Sequence, residues 1–202
     1  HAISNLTISA GSADYVGLFA QNFGTLRDLG LVGGSVSGGD RVGGLAGYSG
    51  VSGSISNAYV AGSVSATGDD VGGLVGRNYG TISSSHATGS VAGTSDNVGG
   101  LAGWNSGSIS DAYATASVSA AGFNAGGLVG WNDGGTISNA YATGSVLATA
   151  GSAGGLTGTN GGSINDAYAT GSVSGDTAVG GLAGVNAGSI SNAYATGSAS
   201  GT

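Results

Sequence analysis

The chain has 202 residues, 46 of them glycine, and it contains no proline, cysteine or methionine. Its formal net charge is −7, from ten aspartates and three arginines. The lack of cysteine excludes disulfides, thiolate metal sites and cysteine nucleophiles. The negative charge argues against nucleic acid and anionic membrane surfaces, which require clustered cations. No apolar stretch is long enough for insertion into a membrane.

A repeated unit dominates the chain. Seven leucines recur about every 27 residues, at Leu18, Leu45, Leu74, Leu101, Leu128, Leu156 and Leu182. A period of this length indicates stacked structural repeats. Helix-forming residues are scarce, and short apolar runs alternate with period two between glycine-containing turns, which favours strands. The sequence therefore predicts an all-β protein, a β-solenoid (parallel β-helix) with about 27 residues and three short strands per rung, and roughly seven rungs.

The three predicted strands of a rung are VGGLVG, ISNAYAT and GSVS. In the first strand we expect Val16, Leu18 and Ala20 to point inward, with Gly72 and Gly76 as the later equivalents of the two flanking residues. In the second strand one apolar position recurs, at Ile3, Leu26, Ile55, Ile82, Ile109, Ile137, Ile164 and Ile190. Another follows five residues later, at Ile8, Leu31, Val60, Ala87, Ala114, Ala142, Ala169 and Ala195.

Residues 1–14 resemble only the second half of a unit, with ISNLTI beside LRDLGL. We therefore expect one array over residues 1–202, made of a partial first rung (1–14) and full repeats (15–202). Residue 1 is not methionine and neither end shows a capping rung. These features predict a segment of a longer protein or filament, which in isolation associates end to end.

Two columns of like residues are expected to form ladders. An asparagine column follows the first strand, at Asn22, Asn78, Asn105, Asn132, Asn160 and Asn186, and only Ser49 interrupts it. A tyrosine column lies in the second strand, at Tyr59, Tyr113, Tyr141, Tyr168 and Tyr194. Asparagine amides can hydrogen-bond and aromatic rings can stack between rungs. The tyrosine position also accepts threonine, glycine and histidine, which favours an outward ladder, with inward packing beside the glycines as the alternative.

The unit VGGLVGxNxGxISNAYATGSVS resembles the GLUG-motif repeat over residues 15–202. That repeat occurs in large secreted and surface-attached bacterial proteins, including haemagglutinin-like exoproteins of two-partner secretion and regions beside immunoglobulin-cleaving metallopeptidases. The resemblance implies an extracellular β-helical stalk or display region of adhesin type, with a bacterial secreted or cell-surface location.

Catalytic signatures are weak. The GGLVG pentad lacks the helix and lysine of a phosphate loop. The only histidines are His1 and His86, and there is no zinc-peptidase signature. The aspartates lie at turn positions, where bonding to the local backbone is the default role of the side chain. We therefore expect no enzymatic activity.

One corner carries acidic residues just ahead of successive VGGL strands, at Asp14, Asp40, Asp70 (or its neighbour Asp69) and Asp96. Stacked carboxylates repel each other, and oxygen-rich corners suit calcium. The alternatives are a solvated turn and an electrostatic guard against sideways aggregation. Calcium is the only cofactor for which the sequence suggests a binding site.

An outward column beside the asparagines contains Tyr48, Arg77, Trp104 and Trp131. Neighbouring surface tryptophans can hold a sugar ring or anchor a partner protein. The alternative is mutual stacking, with a cation–π contact from Arg77. A further column of threonines, at Thr88, Thr115, Thr143, Thr170 and Thr196, is the basis of a third hypothesis, an ice-binding face.

The sequence thus favours a non-catalytic stalk or display segment of a secreted surface adhesin or filament. Its first alternative is a solenoid that binds a glycan, or a protein of a host or neighbouring cell, through the tryptophan column. Its second alternative is ice binding through the threonine column.

Overall fold

A computed structural model describes residues 1–201, so the predicted end of the array at residue 202 lies outside the described residues. These residues form 30 strands arranged in three parallel sheets, and no helix occurs among them. Successive strands of a sheet are about 27 residues apart in sequence, as in the pairing of Ile82 with Ile55 on one side and Ile109 on the other. The predicted β-solenoid of about seven turns is confirmed.

We name the three sheets the wide, valine and asparagine sheets. The wide sheet contains Ala2–Ser4, Thr7–Ser9, Thr25–Arg27, Gly30–Gly38, Ser54–Ser56, Tyr59–Ala66, Thr81–Ser83, His86–Gly93, Ser108–Ser110, Tyr113–Ala114, Ser117–Ala120, Thr136–Ala142, Val146–Ala148, Ser163–Ala169, Val173–Gly175, Ser189–Ala195 and Ala199–Gly201. The valine sheet contains Val42–Gly43, Val71–Gly72, Val98–Gly99, Asn124–Gly126, Ser152–Gly154 and Ala178–Gly180. The asparagine sheet contains Phe19–Asn22, Ala46–Ser49, Val75–Asn78, Ala102–Asn105, Val129–Asn132, Thr157–Asn160 and Ala183–Asn186.

The predicted first strand is divided between two sheets, because a corner falls at its paired glycines. In one central rung, Val71–Gly72 belongs to the valine sheet and Val75–Asn78 to the asparagine sheet. A Cβ on Gly72 would lie 2.1 Å from the carbonyl oxygen of Val75, and one on Gly73 would lie 2.3 Å from that of Gly100. Both positions therefore require glycine, because the chain folds back on itself and on the next rung there.

A second corner lies within the wide sheet, where one residue per rung has a left-handed backbone. The φ values at this corner run from 47° to 56°, at Asp28, Asn57, Ser84, Asp111, Asn139, Asp166 and Asn192. Asparagine and aspartate tolerate this conformation better than other residues that carry a Cβ. This preference explains why asparagine or aspartate ends nearly every triplet at this corner, such as ISN and ISD, with Ser84 as the exception.

The core is built from two neighbouring sets of columns. Leucines of the VGGL corner pack with the isoleucine and alanine columns of the wide sheet, and Leu74, Leu101, Ile82 and Ile109 are completely buried. A second cluster joins the valines of the valine sheet to those that end each rung of the wide sheet. In the last rung Leu182 and Ile190 are only partly buried. Stacking of further rungs is what covers each level of the core.

Two predicted registers were wrong. Ile3 pairs with Leu31 and Ile8 with Val36, instead of heading the columns of Leu26 and Leu31. Leu26 is only 23 residues after Ile3 in the sequence, which is too short a segment to complete a rung. Likewise Val16 pairs with Val42, whose column continues to Val71 and not to Gly72.

Candidate functional site

The asparagine column forms a continuous hydrogen-bonded ladder in its central and C-terminal part. Asn78 donates through Nδ2 to Oδ1 of Asn105 at 2.8 Å, and the same distance recurs along Asn105, Asn132, Asn160 and Asn186. Each amide also donates to the carbonyl of a nearby glycine, as in Asn105 to Gly107 at 3.2 Å. The amides are fully buried in the four middle members. Such a column holds the rungs together and leaves no amide free for a ligand.

The tyrosine column faces outward and its rings stack. From Tyr59 through His86 to Tyr194, neighbouring ring centroids are 4.5 to 5.2 Å apart and the planes differ by at most 8°. Partial burial lowers the pKa of His86, whose imidazole lies between two tyrosine rings. Burial, followed by the neighbouring phenols, raises the pKa of Tyr141. Both faces of the inner rings of the ladder, from His86 to Tyr168, are therefore covered by neighbouring rings.

The acidic corner is a backbone ladder. Asp14 accepts a hydrogen bond from the N–H of Asp40 at 3.1 Å, Asp40 from Asp69 at 2.9 Å, and Asp69 from Asp96 at 3.0 Å. Asp96 accepts a hydrogen bond from the backbone N–H of Phe123 in the next rung. The corner member is thus Asp69, and the assignment of Asp70 was wrong. Within residues 1–201 no three acidic or histidine side chains converge as metal ligands would, so the geometry offers the calcium hypothesis no support.

Asp70 points elsewhere, to the edge of the tryptophan column. Its side chain is 1% exposed, and its Oδ2 lies 2.6 Å from Nη2 of Arg77. Its Oδ1 accepts a hydrogen bond from Asn97 at 2.9 Å. Burial raises the pKa of Asp70, although Asn97 and Arg77 both act to lower it. The charge of Arg77 is therefore largely compensated from inside the protein.

The tryptophan column is a stack of three groups. The guanidinium carbon of Arg77 lies 4.1 Å from the ring centroid of Trp104, and the rings of Trp104 and Trp131 are 4.5 Å apart with a tilt of 35°. Arg77 and Trp131 belong to the strands on opposite sides of Trp104. Both faces of the Trp104 indole are consequently covered. Its N–H donates to Ser106 at 2.9 Å, which fixes the ring.

Tyr48 belongs to a separate aromatic group that was not predicted from the sequence. Its ring lies 5.6 Å from that of Tyr79, 5.9 Å from Phe23 and 6.1 Å from Tyr15. Phe23 and Tyr79 are each the residue after the asparagine-column position of their rungs. A comparison of that position between units could have found them. The predicted four-residue site therefore divides into a tryptophan stack and a tyrosine–phenylalanine cluster.

The threonine column lies on the outer face of the wide sheet, exposed except for the half-buried Thr88. Two residues after each threonine is a serine. Ser90 and Ser117 of this row are exposed and pair in register, together with the exposed Ser63 of the preceding rung. This second row of hydroxyls was not predicted from the sequence. The stacked tyrosines border the threonines on the other side.

These features define a repeat protein of the β-solenoid class whose side-chain ladders run along its length. The chain belongs to the GLUG-motif family, since the family model matches residues 67–92, 94–119, 121–147 and 175–200, together more than half of the chain. No helix among residues 1–201 has the length and apolar character needed to cross a bilayer.

Two known proteins are similar to parts or all of this chain. It is 42% identical over 78 residues to halomucin from Haloquadratum walsbyi (strain DSM 16790 / HBSQ001), a stretch that makes up 38% of this chain and 1% of halomucin. The crystal structure of a Bacteroides ovatus protein, described as a candidate immunoglobulin A1 protease, matches with a TM-score of 0.55 and 23% identity. That match covers 94% of this chain and 57% of the other, and at this identity it shows the fold alone.

Proposed function

We propose that this chain is a non-catalytic structural and display segment of a secreted or surface-exposed protein, of the kind that forms adhesin stalks or extracellular filaments. The observation that carries the proposal is that side-chain ladders run from rung to rung. The corner carboxylates join the N-terminal rungs, and the stacked rings and the buried amides join the rungs from Tyr59 and Asn78 onward. A structure of this kind extends by adding rungs and keeps the same faces along its length.

Membership of the GLUG-motif family and the similarity to a part of halomucin support a surface or secreted role. A non-catalytic role is supported by the way the titratable groups are used. His86 is held between two rings, Asp70 is paired with Arg77, and the corner carboxylates accept backbone hydrogen bonds. The contacts of these groups lie within the fold, which favours a structural use of their charges.

Location can be tested in the source cells with an antibody raised against the segment. Intact cells should bind the antibody, and external protease should remove the epitope before the cells lyse. An epitope that becomes accessible only after lysis would contradict the surface proposal.

The structural role can be tested by deleting one rung in register. Removal of residues 94–120 joins equivalent positions of neighbouring units, so the remaining ladders should close over the gap. Small-angle scattering should then show a folded particle that is shorter by about one 4.8 Å strand spacing. Deletion of residues 94–106, which stops in mid-rung, is the matched control and should give an unfolded or aggregated chain. Equal behaviour of the two deletions would contradict a register-dependent stack.

Self-association of the isolated segment belongs to the same proposal. Strands of the first and last rungs have a neighbour on one side only, and exposed side chains there include Ile3, Phe19 and Tyr194. Unpaired strand edges promote pairing with another chain. Light scattering should show a mass that grows with concentration, and a constant monomer mass would contradict end-to-end contact.

The two binding hypotheses differ in their geometric support. The stack does not offer two indole faces to a sugar ring. Arg77 and Trp131 cover both faces of Trp104, so only the outer face of Trp131 remains for a ligand. Ice binding gains the serine row beside the threonines, yet the protruding tyrosine ladder borders the same face. A thermal hysteresis assay would test ice binding, with Thr143→Lys as the variant that should abolish it.

A further inference from the structure

The tryptophan stack has two ends that differ in one respect. At one end, Arg77 places its guanidinium over Trp104 and is paired with the carboxylate of Asp70 at 2.6 Å. This arrangement shows what a cation needs at this surface: an indole face and a carboxylate beside it. A guanidinium over an indole is attracted by the negative electrostatic face of the ring.

At the other end the indole face of Trp131 has no such cover. The next residue in its column is Thr159, whose hydroxyl is directed to Oδ1 of Asn124 at 2.7 Å and thus toward the valine sheet. Gly161 follows in the same rung, and a Cβ placed on it would come only to 3.9 Å from the indole nitrogen of Trp131. Small residues therefore border the outer face of Trp131, and we call this end of the stack the step.

The polar groups at this step are also unused. Trp104 donates its indole N–H to Ser106, but within residues 1–201 the N–H of Trp131 has no protein acceptor. Asp133 occupies the position that Ser106 holds in the preceding rung, two residues after the tryptophan, and it is exposed. Its carboxylate takes part in no hydrogen bond or ion pair with residues 1–201. Within residues 1–201, the step thus combines an indole face that has no aromatic or cationic neighbour with a carboxylate that has no hydrogen-bond or ionic partner.

We propose that Trp131 and Asp133 form a binding site for a guanidinium cation, supplied by an arginine side chain of a partner protein. The bound group would lie on the outer face of Trp131, as Arg77 lies on Trp104. It would pair with Asp133, because the register equivalent of Asp70 in the rung of Thr159 is Ser152, which carries no charge. The net charge of −7 favours the approach of a cationic partner. A negatively charged glycan is disfavoured, because Arg77 is already paired and Asp133 repels anions.

The test uses the two indole N–H signals of the full chain in ¹⁵N-labelled protein, with Trp104 as the internal reference. Titration with N-acetyl-arginine amide or tetramethylammonium should shift the Trp131 signal in a saturable manner and leave that of Trp104 nearly unchanged. Asp133→Asn should weaken binding of the arginine derivative several-fold. The neutral disaccharide cellobiose should cause no saturable shift.

Thr159→Arg is the decisive variant, because it places a guanidinium in register above Trp131. Its Trp131 signal should sit near the ligand-bound position without ligand, and the response to added cation should fall at least tenfold. Thr170→Arg adds the same charge on the wide sheet and should leave the response intact. Equal shifts of the two indoles, no saturable shift with either cation, or saturable binding of cellobiose instead would overturn the proposal.

Discussion

The asparagine column and the tyrosine column repeat with the same period but are held by different forces. The asparagines are buried, and each amide is a hydrogen-bond donor to one neighbour and an acceptor for the other. The tyrosines are half-exposed, and their rings stack with a nearly parallel orientation. The buried column accepts only one exception, Ser49, whereas the outer column accepts histidine at position 86 and glycine at position 30.

This difference follows from the cost of an unpaired group. A buried amide without a partner loses the hydrogen bonds that it would make with water, whereas an exposed ring edge loses little. The buried column therefore requires a hydrogen-bonding side chain in every rung, whereas the exposed column tolerates different residues. At position 30 the ring of Tyr59 leans over the glycine, since a Cβ there would lie 2.2 Å from Cζ of that ring.

The largest effect is expected when the inner column is broken. Asn105→Leu removes the acceptor of Asn78 and the donor to Asn132 at the same time. Each of the two stranded buried groups costs about 1–3 kcal/mol, so the free energy of unfolding should fall by about 2–6 kcal/mol. Urea unfolding measures it. Asn105→Ser is the matched control, because Ser49 already occupies this column, and it should cost less. Equal stability of the leucine variant and wild type would show that the amides add nothing.

Breaking the outer column should have a smaller effect. Tyr141→Ala removes two ring contacts, at 4.9 Å each, which are worth about 0.5–1.5 kcal/mol apiece. We expect the free energy of unfolding to fall by about 1–3 kcal/mol in the same urea experiment. Tyr194→Ala removes one contact from a ring that is 56% exposed and should cost roughly half as much. A loss at Tyr141 as large as that of Asn105→Leu would erase the distinction between the two columns.

The smallest effect is a pH dependence at the one histidine of the outer column. Because burial lowers the pKa of His86 in the folded state, the unfolded chain takes up the proton more readily. Stability is then complete above the ordinary histidine pKa and decreases as the pH falls through the folded-state value. His86→Tyr should remove this dependence. The thermal midpoint of the variant should exceed that of wild type by a margin that grows from about pH 8 to about pH 5. A constant margin would mean that His86 does not titrate differently on folding.

Much of the fold could be predicted because each position of the repeat occurs several times in the sequence, so that constant and variable positions can be distinguished. The leucine and isoleucine columns and the asparagine ladder were visible as near-invariant positions. The first rung was misaligned because ISNLTI imitates a later motif, whereas rung length decides the pairing of Ile3 with Leu31. At the acidic corner the sequence offered Asp69 and Asp70 side by side, and only the backbone hydrogen bonds select Asp69.

The candidate sites could be predicted less well, because a column shows which residues are neighbours but not how their rings are turned. Trp104 and Trp131 were correctly expected on adjacent rungs. Nothing in their spacing indicates that Arg77 covers one face and that Thr159 turns away from the other. The free position of Asp133 depends in the same way on side-chain directions.

The rung itself limits how such a protein can be used. A rung of about 27 residues advances the rod by one strand spacing, about 4.8 Å, whereas a helix of the same length would reach about 40 Å. The solenoid is therefore short for its number of residues. In return it has three separate faces, and each face is repeated in every rung. A chain built in this way is suited to presenting the same surface many times. A single helix would span the same distance with far fewer residues.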